Sequence, residues 1–411
     1  MKYLVAALTL LLCGSASAQD FHVADFRAAR AAAVTAVNAG DFTTAEARLA
    51  QARAMVPGAP SILLLGAQIE AVAAKPDAAL AFLRDYAGRG LWFDRTRYPD
   101  LAAIIDPDLA ARLDDNAAPL GTVTEVARSP DLSLVEGLAV ADNGQIYASS
   151  VHDGAVNRVA NGKITPLIAL QPGQGGYGLA VRDDRLWLAV ASNAVSKGYT
   201  ATTALPSEIV AITPETGRMT HFPADGAPRS FGDIGLGKND LYTSDGANGG
   251  VFRLTGYTGP WQTLIASGTL GSPQDMVENA GATALVVADY TSGLYRIDLA
   301  TGHVETLAVP ADASLVGIDG MAAYGNDLIA VQNGVTPARV LRLHMSPDWQ
   351  TIDSVEVLLR SSVLDQPTGG EIVGNDFIFV ARSQWSDFDD DGHPVAGAHG
   401  PVIIADLKLQ P

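Results

Sequence analysis

Six stretches of this chain repeat one plan: EGLAVADNGQIYASS, YGLAVRDDRLWLAVA, GDIGLGKNDLYTSD, QDMVENAGATALVVADY, DGMAAYGNDLIAVQNG and GEIVGNDFIFVARSQW. Each opens with an apolar start, turns at Gly, Asn or Asp, and resumes as an apolar strand. Their starts, Glu136, Tyr177, Gly232, Gln274, Asp319 and Gly370, lie roughly 41 to 55 residues apart. A period near 45 with about four short strands per unit is the pattern of propeller blades. Third strands are visible in GLYRIDLATG and RVLRLHM. The chain is therefore expected to be mainly β, a six-bladed propeller. The strand TVTEVA, Thr122 to Ala127, should join the last blade, since closing the ring protects edges that would pair with other chains.

The 411 residues exceed the usual single domain, and the composition changes near residue 120. From Ala24 to about Asp115 the chain is rich in Ala, Leu and Arg, with apolar residues at helical spacing. Gly40-Asp41 breaks one helix and caps the next, and Pro57-Gly58 stops the second. KPDAALAFLRDYAGRG repeats the theme, with Asp77 about 36 residues after Asp41. That spacing and the small alanines resemble tetratricopeptide repeats, whose period is about 34. A peptide-binding array and a plain alanine-rich helical hairpin are both open here. The domains predicted are 1–18 a signal peptide, 19–118 a small all-α, tetratricopeptide-like domain, and 119–411 the propeller.

The leader reading comes from MKYLVAALTLLLCGSASAQD, in which one lysine precedes about a dozen mostly apolar residues and the small-residue stretch Ala16-Ser17-Ala18. Cleavage after Ala18 would make the protein periplasmic or secreted. The apolar run is shorter than the roughly 20 residues a bilayer crossing needs, so no membrane span is expected. Cys13 is the only cysteine and falls in the leader, which removes disulfides, thiolate nucleophiles and cysteine metal sites from the mature chain. A net charge of -18 argues against nucleic acid as a partner.

In a propeller the first strand of each blade lines the central channel, so residues just ahead of it gather at the mouth. Aligning the units on Leu138, Leu179, Ile234, Met276, Met321 and Ile372 puts Glu136, Tyr177, Gly232, Gln274, Asp319 and Gly370 on an outer ring. Gly137, Gly178, Asp233, Asp275, Gly320 and Glu371 form an inner one. Five carboxylates thus converge, and like charges so close raise one another's pKa unless a cation or a hydrogen-bonded network compensates. A bound divalent ion is the economical solution.

Glu136-Gly-Leu, Asp319-Gly-Met, VADYTSGLYRIDLATG and IAVQNGVTPARVLRL together resemble the senescence-marker-protein/gluconolactonase family, which includes regucalcin, over residues 120–411. Within it the chain is most similar to exported bacterial members with a helical extension. The resemblance implies one divalent metal at the channel mouth and hydrolysis of sugar lactones. It assigns the metal to Glu136, Gln274 and Asp319, with Gln274 standing where the family has Asn. Gly232 stands where the family has a substrate-contacting Asn, so that contact is absent. Two carboxylates and an amide oxygen make a hard, oxygen-only site, suited to Ca²⁺ or Mg²⁺ and able to hold Mn²⁺ or Zn²⁺. Such an ion either acts in catalysis or pins the blades together.

Other motifs are weaker. GQGGYG precedes a strand rather than a helix, and no G-x-S-x-G elbow, HExxH or phosphate loop occurs. His152 is a candidate proton shuttle at the mouth or a plain loop histidine. Asp387, Asp389 and Asp391 with Gly392 match the start of a calcium loop, although Ala398 occupies the twelfth position where a bidentate Glu belongs. Two functional classes follow. One is a metal-dependent hydrolase of lactones or related cyclic esters, with a small-molecule substrate and Asp319 as the catalytic base. The other is a non-enzymatic platform that uses the propeller and the helical domain to hold a peptide or protein partner.

Overall fold

The computed structural model describes residues 23–410 except 203, 227, 228, 390 and 398. The expected leader and Ala398 lie outside the described residues. Among those described, six helices precede 24 strands, and no helix is long and apolar enough to cross a membrane.

The helices pack first as two hairpins, α1 (Val23–Asn38) on α2 (Phe42–Met55) and α3 (Pro60–Val72) on α4 (Pro76–Gly88). Asp41 caps α2 by accepting the Thr44 N–H at 3.0 Å, as its place after Gly40 requires. The repeat is imperfect at its counterpart: Lys75 holds the N-cap of α4 and Asp77 falls in its first turn, after Pro76. A short α5 (Pro99–Ala102) and α6 (Pro107–Ala117) complete the helical layer.

Beyond it stand six four-stranded antiparallel sheets. The first strands of the blades are β2 (Val135–Val140), β6 (Gln174–Arg182), β10 (Phe231–Leu236), β14 (Pro273–Glu278), β18 (Ile318–Tyr324) and β22 (Gly370–Val373). Five of the blades run in simple chain order. In the sixth, β1 (Thr124–Ser129) pairs antiparallel with β24 (Val402–Lys408), so the ring is closed by its own N-terminal strand, as expected from the edge argument. Second strands such as β15 (Ala284–Asp289) are buried along their whole length, and outer strands such as β9 (Arg218–Pro223) are largely exposed. That gradient is why the inner strands read as nearly unbroken apolar runs.

The helices sit on the face from which the first strands enter. Apolar residues of α1 to α3 join one continuous core with Tyr242, Leu285 and Tyr295 of blades three and four. Polar bonds then run from the helices to successive loops of that face. Ser314 Oγ donates to the Gly58 carbonyl at 2.7 Å, Trp92 N–H to the Thr336 carbonyl at 2.7 Å, and Arg360 Nη1 to the Asp115 carbonyl at 3.1 Å.

Near the axis the strands approach too closely for side chains at every position. A Cβ on Gly320 would lie 2.5 Å from the Gly369 Cα, a backbone contact that cannot give way. Gly320→Ala is therefore expected to destabilise the fold by about 1 to 3 kcal/mol, the usual scale of overpacking. Denaturant unfolding monitored by tryptophan fluorescence checks this, and an unchanged midpoint would mean that the blades spread without cost.

Candidate functional site

Where each of the first five inner strands begins, its pairing with the second strand shifts by a bulge: between Val135 and Leu138, Gly176 and Leu179, Phe231 and Ile234, Pro273 and Met276, and Ile318 and Gly320. A bulge leaves extra residues unpaired and turns them out of the ladder. Those residues are Glu136, Tyr177, Asp233, Gln274, Asp275 and Asp319 together with small glycines, so in the first five blades the predicted rings fall at the bulges. Buried serines take up backbone groups the bulges release. Ser149 Oγ accepts the Gly137 N–H at 2.8 Å, and Ser244 Oγ accepts that of Asp233 at 3.0 Å.

Blade six is different. Gly370 pairs regularly with Phe379 and Glu371 with Ile378, with no bulge. The ring level there belongs to Thr368 and Gly369: Gly369 abuts Gly320, and Thr368 Oγ1 donates to the Glu136 carbonyl at 2.6 Å. Glu371 accordingly lies two residues further along the strand, where its Oε2 accepts the Val140 N–H at 2.7 Å. Its expected place at the mouth is corrected. Blade six makes a tight two-residue turn after Val373, as blade five does after Tyr324, and counting back from that turn rather than from the first apolar residue sets the register.

Four carboxyl groups remain together: Glu136, Asp233, Asp275 and Asp319. Burial, then the charge of Asp319, lifts Glu136 to about 8, against a hydrogen bond from Trp385. Asp319 is raised to about 7 by burial, opposed by the amide of Asn333. Burial likewise brings Asp275 to about 7 although the N–H groups of Met321 and Met276 hold its anion. Asp233 stands well above the carboxylate range through burial and the charges of Asp275, Glu136 and Asp319. Among the described residues no basic group acts on any of the four.

An outer shell fixes two of them. Trp385 Nε1 donates to Glu136 Oε2 at 2.6 Å, and Asn333 Nδ2 donates to Asp319 Oδ2 at 2.8 Å. Tyr290 in turn donates its hydroxyl to Asn333 Oδ1 at 2.8 Å, and the Tyr177 hydroxyl, close enough for the Glu136 charge to raise its pKa, is bonded to Asn193. One oxygen of Glu136 and one of Asp319 is thus held by a fixed N–H donor, and the other is left for chemistry. Sequence reasoning missed Trp385, Asn333, Tyr290 and Asn193. Their signal was the same repeat read further on: Asn193, Tyr290 and Asn333 each follow directly on the last residue of a blade's second strand.

The donor set suits a hard cation. Among the described residues no three His, Cys, Asp or Glu side chains form a ready cage for an ion. Glu136 and Asp319 would therefore hold one together with neutral oxygens. Gln274 Nε2 donates to Ser272 Oγ at 2.9 Å, which leaves its Oε1, the atom that would ligate, without a bond among the described residues. Buried carboxylates without a basic partner are oxygen donors of the kind that Ca²⁺ or Mg²⁺ take. Below the ring the channel opens into a cavity of about 350 Å³, walled by Glu136, Asp233 and Asp275 at one end and Val181, Leu236 and Glu278 at the other.

The remaining candidates have other partners. His152 Nδ1 lies 2.6 Å from the Val195 carbonyl, which fixes the proton on that nitrogen, and its ring packs 5.0 Å from Phe388. Asp387 turns to Arg382 at 3.4 Å, while Asp389 Oδ1 closes its own turn by accepting the N–H groups of Asp391 and His393 at 3.0 and 2.8 Å. The three aspartates of the calcium-loop pattern therefore do not converge: Asp389 satisfies the backbone of a turn, as such residues commonly do.

Because Glu136, Asp275 and Asp319 keep their protons up to about pH 7 to 8 in the folded state and lose them near pH 4 when unfolded, the folded chain binds more protons in between. Stability from these groups is complete below about pH 4 and is lost as pH rises through 7 to 8. In chelator the melting temperature is expected to fall from pH 5 to pH 8, and Asp275→Asn to flatten that fall. A thermal-melt series that rises over this interval would contradict the crowding of the ring.

No family model and no curated protein sequence matches this chain significantly. Solved structures with a similar fold include the PQQ-bound aldose sugar dehydrogenase of Streptomyces coelicolor, at 15% identity over 71% of this chain and 99% of that one, with a TM-score of 0.48. Virginiamycin B lyase of Staphylococcus aureus, in a catalytically inactive form with quinupristin, is 16% identical over 70% and 99%, with a TM-score of 0.47. A calcium-binding protein, regucalcin, of Agrobacterium tumefaciens is 16% identical over 70% and 96%, with a TM-score of 0.47. At these identities the likeness is one of fold.

Proposed function

We propose that this chain is an exported, metal-dependent hydrolase of lactones or related cyclic esters, of the senescence-marker-protein/gluconolactonase type. Its leader would end at Ala18, its helical domain span 19–118 and its propeller 119–411. The supporting observation is the group of four buried carboxyls at one channel mouth with no basic partner among the described residues.

A divalent ion, when bound, would supply Lewis-acid polarisation of a carbonyl and a lowered pKa for water. Glu136, Gln274 and Asp319 would hold it. Asp319, with Oδ2 tied to Asn333, offers Oδ1 as proton acceptor for the attacking water. Trp385 keeps Glu136 from swinging into the space the substrate needs. The cavity of about 350 Å³ has room for a compact cyclic ester, with the carboxyls of Glu136, Asp233 and Asp275 at one end and Leu236 and Val181 at the other.

One observation favours the alternative, a non-enzymatic binding platform. A mostly apolar cleft of about 630 Å³ opens between the helices and blade four, lined by Met55, Val56, Leu294, Leu307 and Leu315. An apolar peptide segment is the partner such a cleft would take.

A panel of lactones assayed with and without chelator separates the two. Hydrolysis that chelator abolishes and Ca²⁺ or another divalent ion restores is expected. Asp319→Asn keeps shape and an oxygen ligand but removes the proton acceptor, and should lower kcat by about 10² or more with the fold retained. If the variant matches the parent on its best lactone, Asp319 is not the base, and inactivity of the parent on the whole panel would hand the site to the binding alternative.

A further inference from the structure

Asp319 owes its orientation to Asn333, and Asn333 stands on the loop between β19 (Asp327–Gln332) and β20 (Arg339–Met345). That loop is gripped by the helical layer at three points. Val335 is 7% exposed and belongs to the core formed by Leu63, Leu83, Tyr86 and Leu113 of the helices. The Thr336 carbonyl accepts the Trp92 N–H. Arg339, 3% exposed, closes the loop from its other end: Nη1 donates to the Arg89 and Gly90 carbonyls, just past the end of α4, at 3.2 and 3.1 Å.

The same guanidinium reaches the strand that carries the site. Arg339 Nε donates to Gln332 Oε1 at 2.6 Å, and Gln332 Nε2 donates to the Ser314 and Val316 carbonyls at 2.8 and 2.7 Å. Gln332 pairs with Ile318, the residue before Asp319, and precedes Asn333. The approach is built closely, for a Cβ on Gly90 would lie 2.8 Å from Arg339 Nη1. A planar fork with several donors can bind Gln332 and two helix-end carbonyls together, whereas an ammonium cannot span them. Unpaired carbonyls just past a helix C-terminus also favour a cation there.

We infer that the helical layer is a positioning element of the propeller's site: through Arg339 and Val335 it holds the 333–338 loop so that Asn333 orients Asp319. The inference rests on the proposed metal site for its functional meaning, but its geometric content stands without it. Outer partners that orient a metal-binding carboxylate typically change metal affinity 10- to 100-fold when removed. A layer that merely covered the propeller would have no such effect.

The test uses the full mature chain and four variants: Asn333→Ala, Arg339→Lys, Val335→Ala and the double variant Asn333→Ala with Arg339→Lys. Arg296→Lys serves as control, since it disturbs an ion pair between buried Arg296 and half-buried Glu305 in blade four, away from the loop. Calcium affinity by titration calorimetry should fall about tenfold or more in Asn333→Ala. Arg339→Lys and Val335→Ala should each reduce it, and the double variant should be no weaker than Asn333→Ala alone, because both act through one residue. Amide hydrogen exchange should quicken at residues 315–334 in Arg339→Lys and Val335→Ala but not in Arg296→Lys.

Additive losses in the double variant, or exchange at 315–334 unchanged in both grip variants, would overturn the inference. If the parent binds no calcium, the metal reading fails and the exchange arm alone decides whether the helices hold the loop. If Arg339→Lys does not fold, Val335→Ala carries both readouts.

Discussion

Burial of a ring of acids is the constraint around which this structure is arranged. Six inner strands crowd one axis, and bulges in four of them turn Glu136, Asp233, Asp275 and Asp319 toward a shared space. Burial strips those carboxyls of water, and each then makes its neighbours harder to ionise. A fold aimed only at stability would fill such positions with apolar side chains. Keeping acids there makes sense when protons or a cation complete the set.

Everything near the ring serves either to bring the strands close or to hold a carboxyl in one pose. Glycines let the backbones meet, and buried serines satisfy the groups that the bulges release. The donors from Trp385 and Asn333 each occupy one oxygen of a carboxylate and leave the other available. Such fixed donors separate a site with defined geometry from a patch of negative charge.

The helical layer lies on the same face, and its bonds run to loops that lead into the ring strands or join the second and third strands beside them. Apolar residues of α1 to α3 merge with those of blades three and four, while Leu63, Leu83, Tyr86 and Leu113 form a second core that takes in Val335 of the propeller. Much of the surface that a free-standing helical array would offer to a peptide is thereby covered by the chain's own propeller. The cleft beside blade four is one part left open.

Blade number, the closing strand and the convergence of Glu136, Asp233, Asp275 and Asp319 were legible in the sequence, because a period near 45 and the order of apolar runs and turns within each repeat survive without neighbours. Glu371 was misplaced because an apolar residue marks a strand but not its register, and register is set by a turn and by pairing with Phe379 and Ile378. The calcium-loop pattern at Asp387, Asp389 and Asp391 misled for a related reason: spacing cannot tell whether a carboxylate turns to Arg382, to its own backbone or to an ion. Trp385, Asn333 and Arg339 became meaningful only in three dimensions, since their partners lie 249, 14 and 250 residues away and nothing local joins them. The sequence by itself indicated which repeat position faces the axis in five of the blades. Tertiary structure decided what holds the residues there, because hydrogen bonds between distant loops depend on how blades and helices pack.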